Sequence, residues 1–306
     1  MKKTAFIFPG QGAQKFGMGK DFYDALPVSR EVYDKASEWL NMDVKSLCFE
    51  ENDRLDITCY TQIGLLTTEL AMLKAVQAKG IVPTVTAGLS LGEYAAITAA
   101  GKMSEEDAIK TIEKRGLFMQ EAVPVGGAMS AIMGLDFTEV EKICAQTSGI
   151  VELANYNCPG QIVISGESEA VAVAGEAIKA AGAKRVAPLK VSGPFHSSML
   201  KGAGEKLKAE LAKVTWMDSE IPYISNTTAE IITEPSVIES LLVRQVSESV
   251  RWQQSVEQMI HMGVDTFVEI GPGKTLAGFL KRIDRSKTCI NIEKIEDLDK
   301  LEALTC

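Results

Sequence analysis

Residues 82–100, VPTVTAGLSLGEYAAITAA, restrict the possible folds of this chain more than any other stretch. Val82, Val85 and Ala87 form a short apolar, partly β-branched run, which predicts a buried strand. Gly88-Leu89-Ser90-Leu91-Gly92 follows, and then Tyr94 to Ala100, small and helix-forming, with Gly101 as a stop. Strand, tight turn and helix are the setting in which G-x-S-x-G becomes a nucleophile elbow. The flanking glycines permit backbone angles and close approaches that a side chain would block. Ser90 would then sit at the positive end of a helix, where an oxyanion is stabilised. A structural serine in a glycine-rich turn is the plainer alternative.

The rest of the composition narrows the class. A chain of 306 residues can bury a large core in one or two domains. Its net charge of −9 argues against whole-surface binding of nucleic acid. No apolar run approaches a membrane span, and Ala5 to Phe8 is too short for the core of a signal peptide. The six cysteines have no C-x-x-C spacing, and Cys48, Cys59, Cys144 and Cys289 lie in apolar segments; buried thiols in a reducing cytoplasm are expected, and no metal or cofactor. Only two histidines are available as a base for Ser90, His196 and His261.

Periodicity divides the chain. Thr4 to Phe8 reads as a strand running into a turn at Pro9-Gly10-Gln11-Gly12, and 28–41 and 60–79 as helices, the second largely buried. The turn is not a dinucleotide fingerprint, because position 15 is Lys15. A helix is expected over 104–122 with Ser104 as N-cap. Its residues Ala108, Ile112, Arg115, Met119 and Ala122 share one face, so Arg115 lies in an apolar stripe. A guanidinium there needs an anion: a structural ion pair, escape of the head group to solvent, or a bidentate clamp on a substrate carboxylate would each supply one. From 125 to 193 the order β-α-β-β-α-β reads as a ferredoxin-like insert, with a cleft toward the remainder, 1–124 and 194–306. His196 falls where the chain re-enters the larger part, whereas His261 ends a helix, so His196 is the better base. The Gly271-Pro272-Gly273-Lys274-Thr275 turn is no P-loop, because Val268 stands where its first glycine should be.

FPGQGAQ at 8–14, GLSLGEY at 88–94, KRGLFMQ at 114–120, NYNCPGQIVISG at 155–166, GPFHS at 193–197, Gln245 ahead of VRW at 250–252, and EIGPGKTL at 269–276 occur in one order and at compatible spacing. Together they resemble the malonyl-CoA:acyl-carrier-protein transacylases and the acyltransferase domains of fatty-acid and polyketide synthases, nearly end to end. The resemblance implies a hydrolase-like α/β core with a ferredoxin-like insert. It also implies transfer of malonyl from malonyl-CoA to the phosphopantetheine thiol of acyl carrier protein through a malonyl-serine. In that scheme Ser90 is the nucleophile, His196 its base, and Gln11 and Leu91 the backbone donors of the oxyanion hole. Arg115 pairs with the malonyl carboxylate, Asn157 and Gln245 are polar residues of the site, and Phe195 narrows the acyl pocket against an α-methyl. Many relatives carry His where this chain has Leu89.

An acidic enzyme that receives a typically acidic carrier needs a local basic surface. Lys179, Lys184, Arg185, Lys190 and Lys201 surround His196 in sequence without an intervening acid, and Lys274, Lys281, Arg282, Arg285 and Lys287 form a second basic stretch. Both are candidate docking surfaces, against the plainer reading of solvated lysines. A polyketide-serving acyltransferase, a serine esterase or thioesterase, and a non-enzymatic scaffold remain alternatives. No heptad or exposed apolar strip demands a dimer, so a cytoplasmic monomer is expected.

Overall fold

The computed structural model describes residues 3–305. Among the described residues ten strands occur in chain order: β1 Thr4–Phe8, β2 Val85–Gly88, β3 Gly127–Met133, β4 Val151–Cys158, β5 Gln161–Glu167, β6 Arg185–Pro188, β7 Tyr223–Ile224, β8 Ile231–Ile232, β9 Thr266–Ile270 and β10 Thr288–Ile292. They form two sheets. One has the order β10-β9-β1-β2-β7-β8, parallel from β10 to β7, with β8 antiparallel at the edge. The other, β4-β5-β3-β6, is antiparallel throughout. The protein is thus mixed α/β, with a parallel core sheet and a separate antiparallel one.

The residues of β1 show why the parallel sheet is covered on both faces. Phe6 and Phe8 enter one apolar cluster, and Ala5 and Ile7 enter the cluster on the opposite side. A strand buried at every position has no face to give to water, which is the pattern of a sheet sandwiched between helices. The first cluster is filled by helix Thr58–Ala78, whose residues are buried on nearly every side, and by helix Glu105–Ala122; the second by helices Trp252–His261 and Thr275–Ile283. Helices Phe137–Gln146 and Ser168–Ala180 pack on the antiparallel sheet around Val140, Ile143, Val171, Ala174 and Ile178.

Several expectations shift. The strand expected from Val82 begins at Val85; Val82 is 71% exposed and precedes Pro83, which has no N–H to pair. The expected β-α-β-β-α-β order over 125–193 is present, with its last strand, β6, ending at Pro188. Helices Lys20–Ala25 and Val44–Phe49 were not anticipated, being too short to show a period. Cys48, Cys144 and Cys158 are buried, whereas Cys59 and Cys289 are only half-buried; Cys306 lies outside the described residues. Among the described residues no helix is long and apolar enough to cross a membrane.

Candidate active site

The tips of β1 and β2 lie side by side, because Phe8 is in register with Gly88. Both strands therefore deliver their following turns to the same edge of the sheet. The turn after β2 reverses into helix Gly92–Ala99 so tightly that a Cβ on Gly88 would collide with the Gly92 carbonyl, and one on Gly92 with the Phe8 carbonyl. Ser90 at its apex has φ 55°, a left-handed conformation that costs a non-glycine residue on the order of 1–3 kcal/mol. The side chain of Asn226 holds it there. Its Oδ1 accepts the Ser90 N–H at 2.6 Å, and its Nδ2 donates to the Gly88 carbonyl at 2.6 Å. With the Ser90 N–H consumed, the first N–H of the turn without a protein acceptor is that of Leu91, and the Gln11 N–H of the neighbouring turn is likewise uncommitted. Both residues line one cavity of about 300 Å³, together with Ser90, Arg115, Asn157, Phe195 and His196.

His196 also has a positive φ, 56°, and is buried. Its Nδ1 is 2.8 Å from the Gln245 backbone carbonyl, which can only accept, so Nδ1 carries the proton. Nε2 then presents a lone pair to the Ser90 Oγ, 2.7 Å away. Burial, followed by the positive charge of Arg115, pushes the imidazole pKa down to about 4. The ring is a neutral base near pH 7. His261 is exposed at the end of its helix and takes no part in the cavity.

Arg115 is almost fully buried. Its guanidinium donates to Gln62 Oε1 at 2.7 Å, Gln245 Oε1 at 2.8 Å and Ser90 Oγ at 3.2 Å, and lies over the Tyr94 ring. Its Nε has no partner, and all its acceptors are neutral oxygens. Of the three destinies open to it from sequence, the structural ion pair and the escape to solvent are both excluded. What remains is a buried cation at the nucleophile without a carboxylate in contact, a state that costs several kcal/mol when nothing neutralises it.

Asn157 and Phe195 also line the cavity, and the Asn157 Oδ1 is buried with no hydrogen-bond partner. The register of β4 slips at two places, between Leu153 and Asn155 and between Tyr156 and Cys158. Leu153 and Tyr156 thereby both face the small core, while Asn155 and Asn157 face the cavity. Re-aiming side chains in this way is a common use of bulges. Gln245 lies behind the cavity wall: its backbone meets the imidazole and its side chain meets Arg115. Leu89 packs its side chain against Gly10 at the cavity edge.

Of the basic residues, Lys184, Arg185, Lys190, Lys281 and Arg282 are exposed. Leu189 and Val191, on either side of Lys190, and Thr275, Leu276 and Phe279, in the helix that carries Lys281 and Arg282, line the cavity. Arg282 is already engaged, donating to Gln161 Oε1 at 2.9 Å and to the Pro159 carbonyl at 2.8 Å.

Three residues of the site escaped the sequence reading. Gln62 and Glu93 did leave a signal, as polar residues inside apolar or small-residue helices. Asn226 left none; it stands 136 positions from Ser90 in a loop beyond β7.

A strained serine, a neutral imidazole, two backbone N–H groups without a protein acceptor and a buried cation thus lie around one cavity. The chain belongs to the acyl transferase domain family, whose sequence profile matches residues 5–297. Within it the chain is similar to the malonyl CoA-acyl carrier protein transacylase of Bacillus subtilis, 45% identical over 98% of this chain and 96% of that protein. It also resembles the solved structure of malonyl CoA-acyl carrier protein transacylase from Clostridium perfringens, with TM-score 0.95 and 44% identity over 99% of this chain and 97% of that one. A third likeness, with TM-score 0.95 and 39% identity over 98% of each chain, is to a malonyl-transacylase, PlMCAT, in complex with a type II polyketide-synthase acyl carrier protein.

Proposed function

We propose that this chain transfers malonyl from malonyl-CoA to the phosphopantetheine thiol of an acyl carrier protein, through an ester on Ser90, and so supplies fatty-acid synthesis. One observation carries the reading: the Ser90 Oγ lies 2.7 Å from a neutral imidazole and 3.2 Å from a buried guanidinium that has no carboxylate partner. A serine esterase needs the first contact and has no use for the second.

His196 Nε2 takes the Ser90 proton as Oγ attacks the thioester carbon. The N–H groups of Leu91 and Gln11 receive the oxyanion, at roughly 3–4 kcal/mol per donor in comparable sites. The C–S bond breaks and the proton passes from His196 to the departing CoA thiolate. The malonyl carboxylate rests on Arg115 throughout. The carrier thiol then gives its proton to His196, attacks the ester, and releases Ser90. The imidazole is steered by a carbonyl instead of an acid, so Ser90 and His196 form a dyad. Asn157, through its unpartnered Oδ1, offers an acceptor to the arm of the thioester, and Phe195 limits the width of the acyl pocket.

Lys184, Arg185, Lys190, Lys281 and Arg282 are proposed to guide the carrier to the mouth, a role supported by their exposure and by the cavity-lining residues next to them in the chain. The division into a hydrolase-like core, 1–124 and 194–306, and a ferredoxin-like insert, 125–193, is likewise proposed. It is supported by the strand order β4-β5-β3-β6, in which the insert's first and third strands are central. A cytoplasmic monomer is proposed, and a cytoplasmic location fits the reaction.

Intact-mass measurement after incubation with malonyl-CoA tests the core of the proposal. A malonyl adduct is expected on the protein and not on Ser90→Ala. Persistence of the adduct in the variant, or its absence from the unmodified chain, would overturn it.

A further inference from the structure

Glu93, the residue after Gly92 in the elbow, is fully buried, and the proposed reaction gives it no step. Its two oxygens hold two different parts of the site. Oε1 accepts the backbone N–H of Asn226 at 3.1 Å, and the side chain of Asn226 in turn holds both ends of the elbow. Oε2 accepts Gln245 Nε2 at 2.8 Å. The other hydrogen of that Nε2 goes to the Ser90 carbonyl at 2.7 Å. With both amide hydrogens committed, the Gln245 oxygen must turn toward Arg115, which it meets at 2.8 Å. Burial pushes the Glu93 carboxyl up to about 7, against the opposing pull of Gln245, Asn226 and Arg115. Both oxygens act as acceptors, which matches the ionised form. The other titratable groups close to it are neutral phenols, Tyr94 and Tyr223, held protonated by burial.

We infer that Glu93 is a positioning residue for acyl-group selection: by fixing the Gln245 amide it aims the Arg115 guanidinium at the acyl group carried on Ser90. This rests on the reading of Arg115 given above. Alternative acids fail for geometric reasons. Aspartate is too short to reach Gln245 and Asn226 together, and glutamine must point its own NH2 at one of two donors.

The test compares malonyl-CoA with acetyl-CoA as acyl donor in Glu93→Asp, Glu93→Gln and Gln245→Met, each alone and combined with Arg115→Ala. All three single variants are expected to lower the malonyl-to-acetyl ratio of kcat/KM by about tenfold, chiefly through KM for malonyl-CoA, the size of effect that contacting residues exert through one another. In the Arg115→Ala background the same changes should leave the ratio where Arg115→Ala alone puts it. Gln245→Met keeps the backbone carbonyl that serves His196 and tests the relay if the Glu93 variants do not fold. Equal loss with both donors, a further fall of the ratio in the Arg115→Ala background, or a rise of the ratio in Glu93→Gln would overturn the inference. If Arg115→Ala itself leaves the ratio unchanged, the reading of Arg115 falls and the inference with it. If Arg115→Ala lowers the ratio and the Glu93 and Gln245 variants do not, the inference falls alone.

Discussion

At the scale of single residues the site works by depriving groups of water. His196 is held neutral, and so able to accept a proton, well below neutral pH for being buried beside Arg115, because both effects disfavour the imidazolium. The sign of the pH dependence follows. A base whose pKa is depressed is active when neutral, so acylation should stay constant in this limb down to about pH 5 and fall as pH drops through about 4, not through the ordinary histidine value of 6.5. Rapid-quench measurement of acyl-enzyme formation against pH checks this; a single limb centred at 6.5 would contradict it. Removing the charge of Arg115 should raise that midpoint, since the nearby cation is one of the two causes of the depression. The same water-free setting makes a guanidinium selective. In solvent it would accept any anion weakly, whereas here, under the proposed function, the carboxylate that matches it is the one the acyl group itself brings.

The elbow is the element on which these residues depend, and it is stabilised from outside itself. Gly88 and Gly92 allow the turn, but allowing φ 55° at Ser90 is not the same as enforcing it. Enforcement comes from the Asn226 amide, which needs a donor and an acceptor at once: Nδ2 for the Gly88 carbonyl and Oδ1 for the Ser90 N–H. Asn226→Asp changes only the donor, setting one acceptor against another at 2.6 Å in a buried place. The expected outcome is a loss of stability of about 1–3 kcal/mol and at least a tenfold slower acylation with malonyl and acetyl donors alike. Denaturant melts and single-turnover rates measure the two. Unchanged acylation in a folded Asn226→Asp would show that the glycines and helix suffice.

In the whole molecule the cavity sits where two sheets meet. The parallel sheet brings Ser90 and Gln11, helix Glu105–Ala122 brings Arg115, and the antiparallel sheet brings Asn157. The net charge of −9 makes approach of an acidic carrier unfavourable except along a basic path. Reversing the charge of Lys184, Arg185 and Lys190 together should slow transfer to the carrier by about an order of magnitude at low salt and much less at high salt, while transfer to a small free thiol is unaffected. Steady-state assays at two ionic strengths decide it, and equal loss with both acceptors would remove these residues from docking.

Much of this was legible before any tertiary structure. The elbow, the helix that carries Arg115 and its N-cap Ser104, strand β1, and the choice of His196 over His261 all follow from local pattern and scarcity. Local pattern works there because strand and helix periods, glycine at strained turns and capping are properties of a few adjacent residues. The short helices at Lys20–Ala25 and Val44–Phe49 escaped for the same reason, as they span too few turns to reveal a period. Arg115 shows the boundary most clearly. Its apolar stripe placed it in the core, yet sequence left three destinies open, and only the identity of its neighbours, Gln62 from one helix and Gln245 from another, removed two of them. The Asn226 amide across the elbow and the Glu93 link to Gln245 join positions 136 to 152 residues apart, and the bulges that turn Asn155 and Asn157 to the cavity depend on strand register. Such contacts are selected by the geometry of packing, in which a buried polar atom must find whichever partner the fold brings within 3 Å, and nothing in the adjacent sequence specifies which partner that will be.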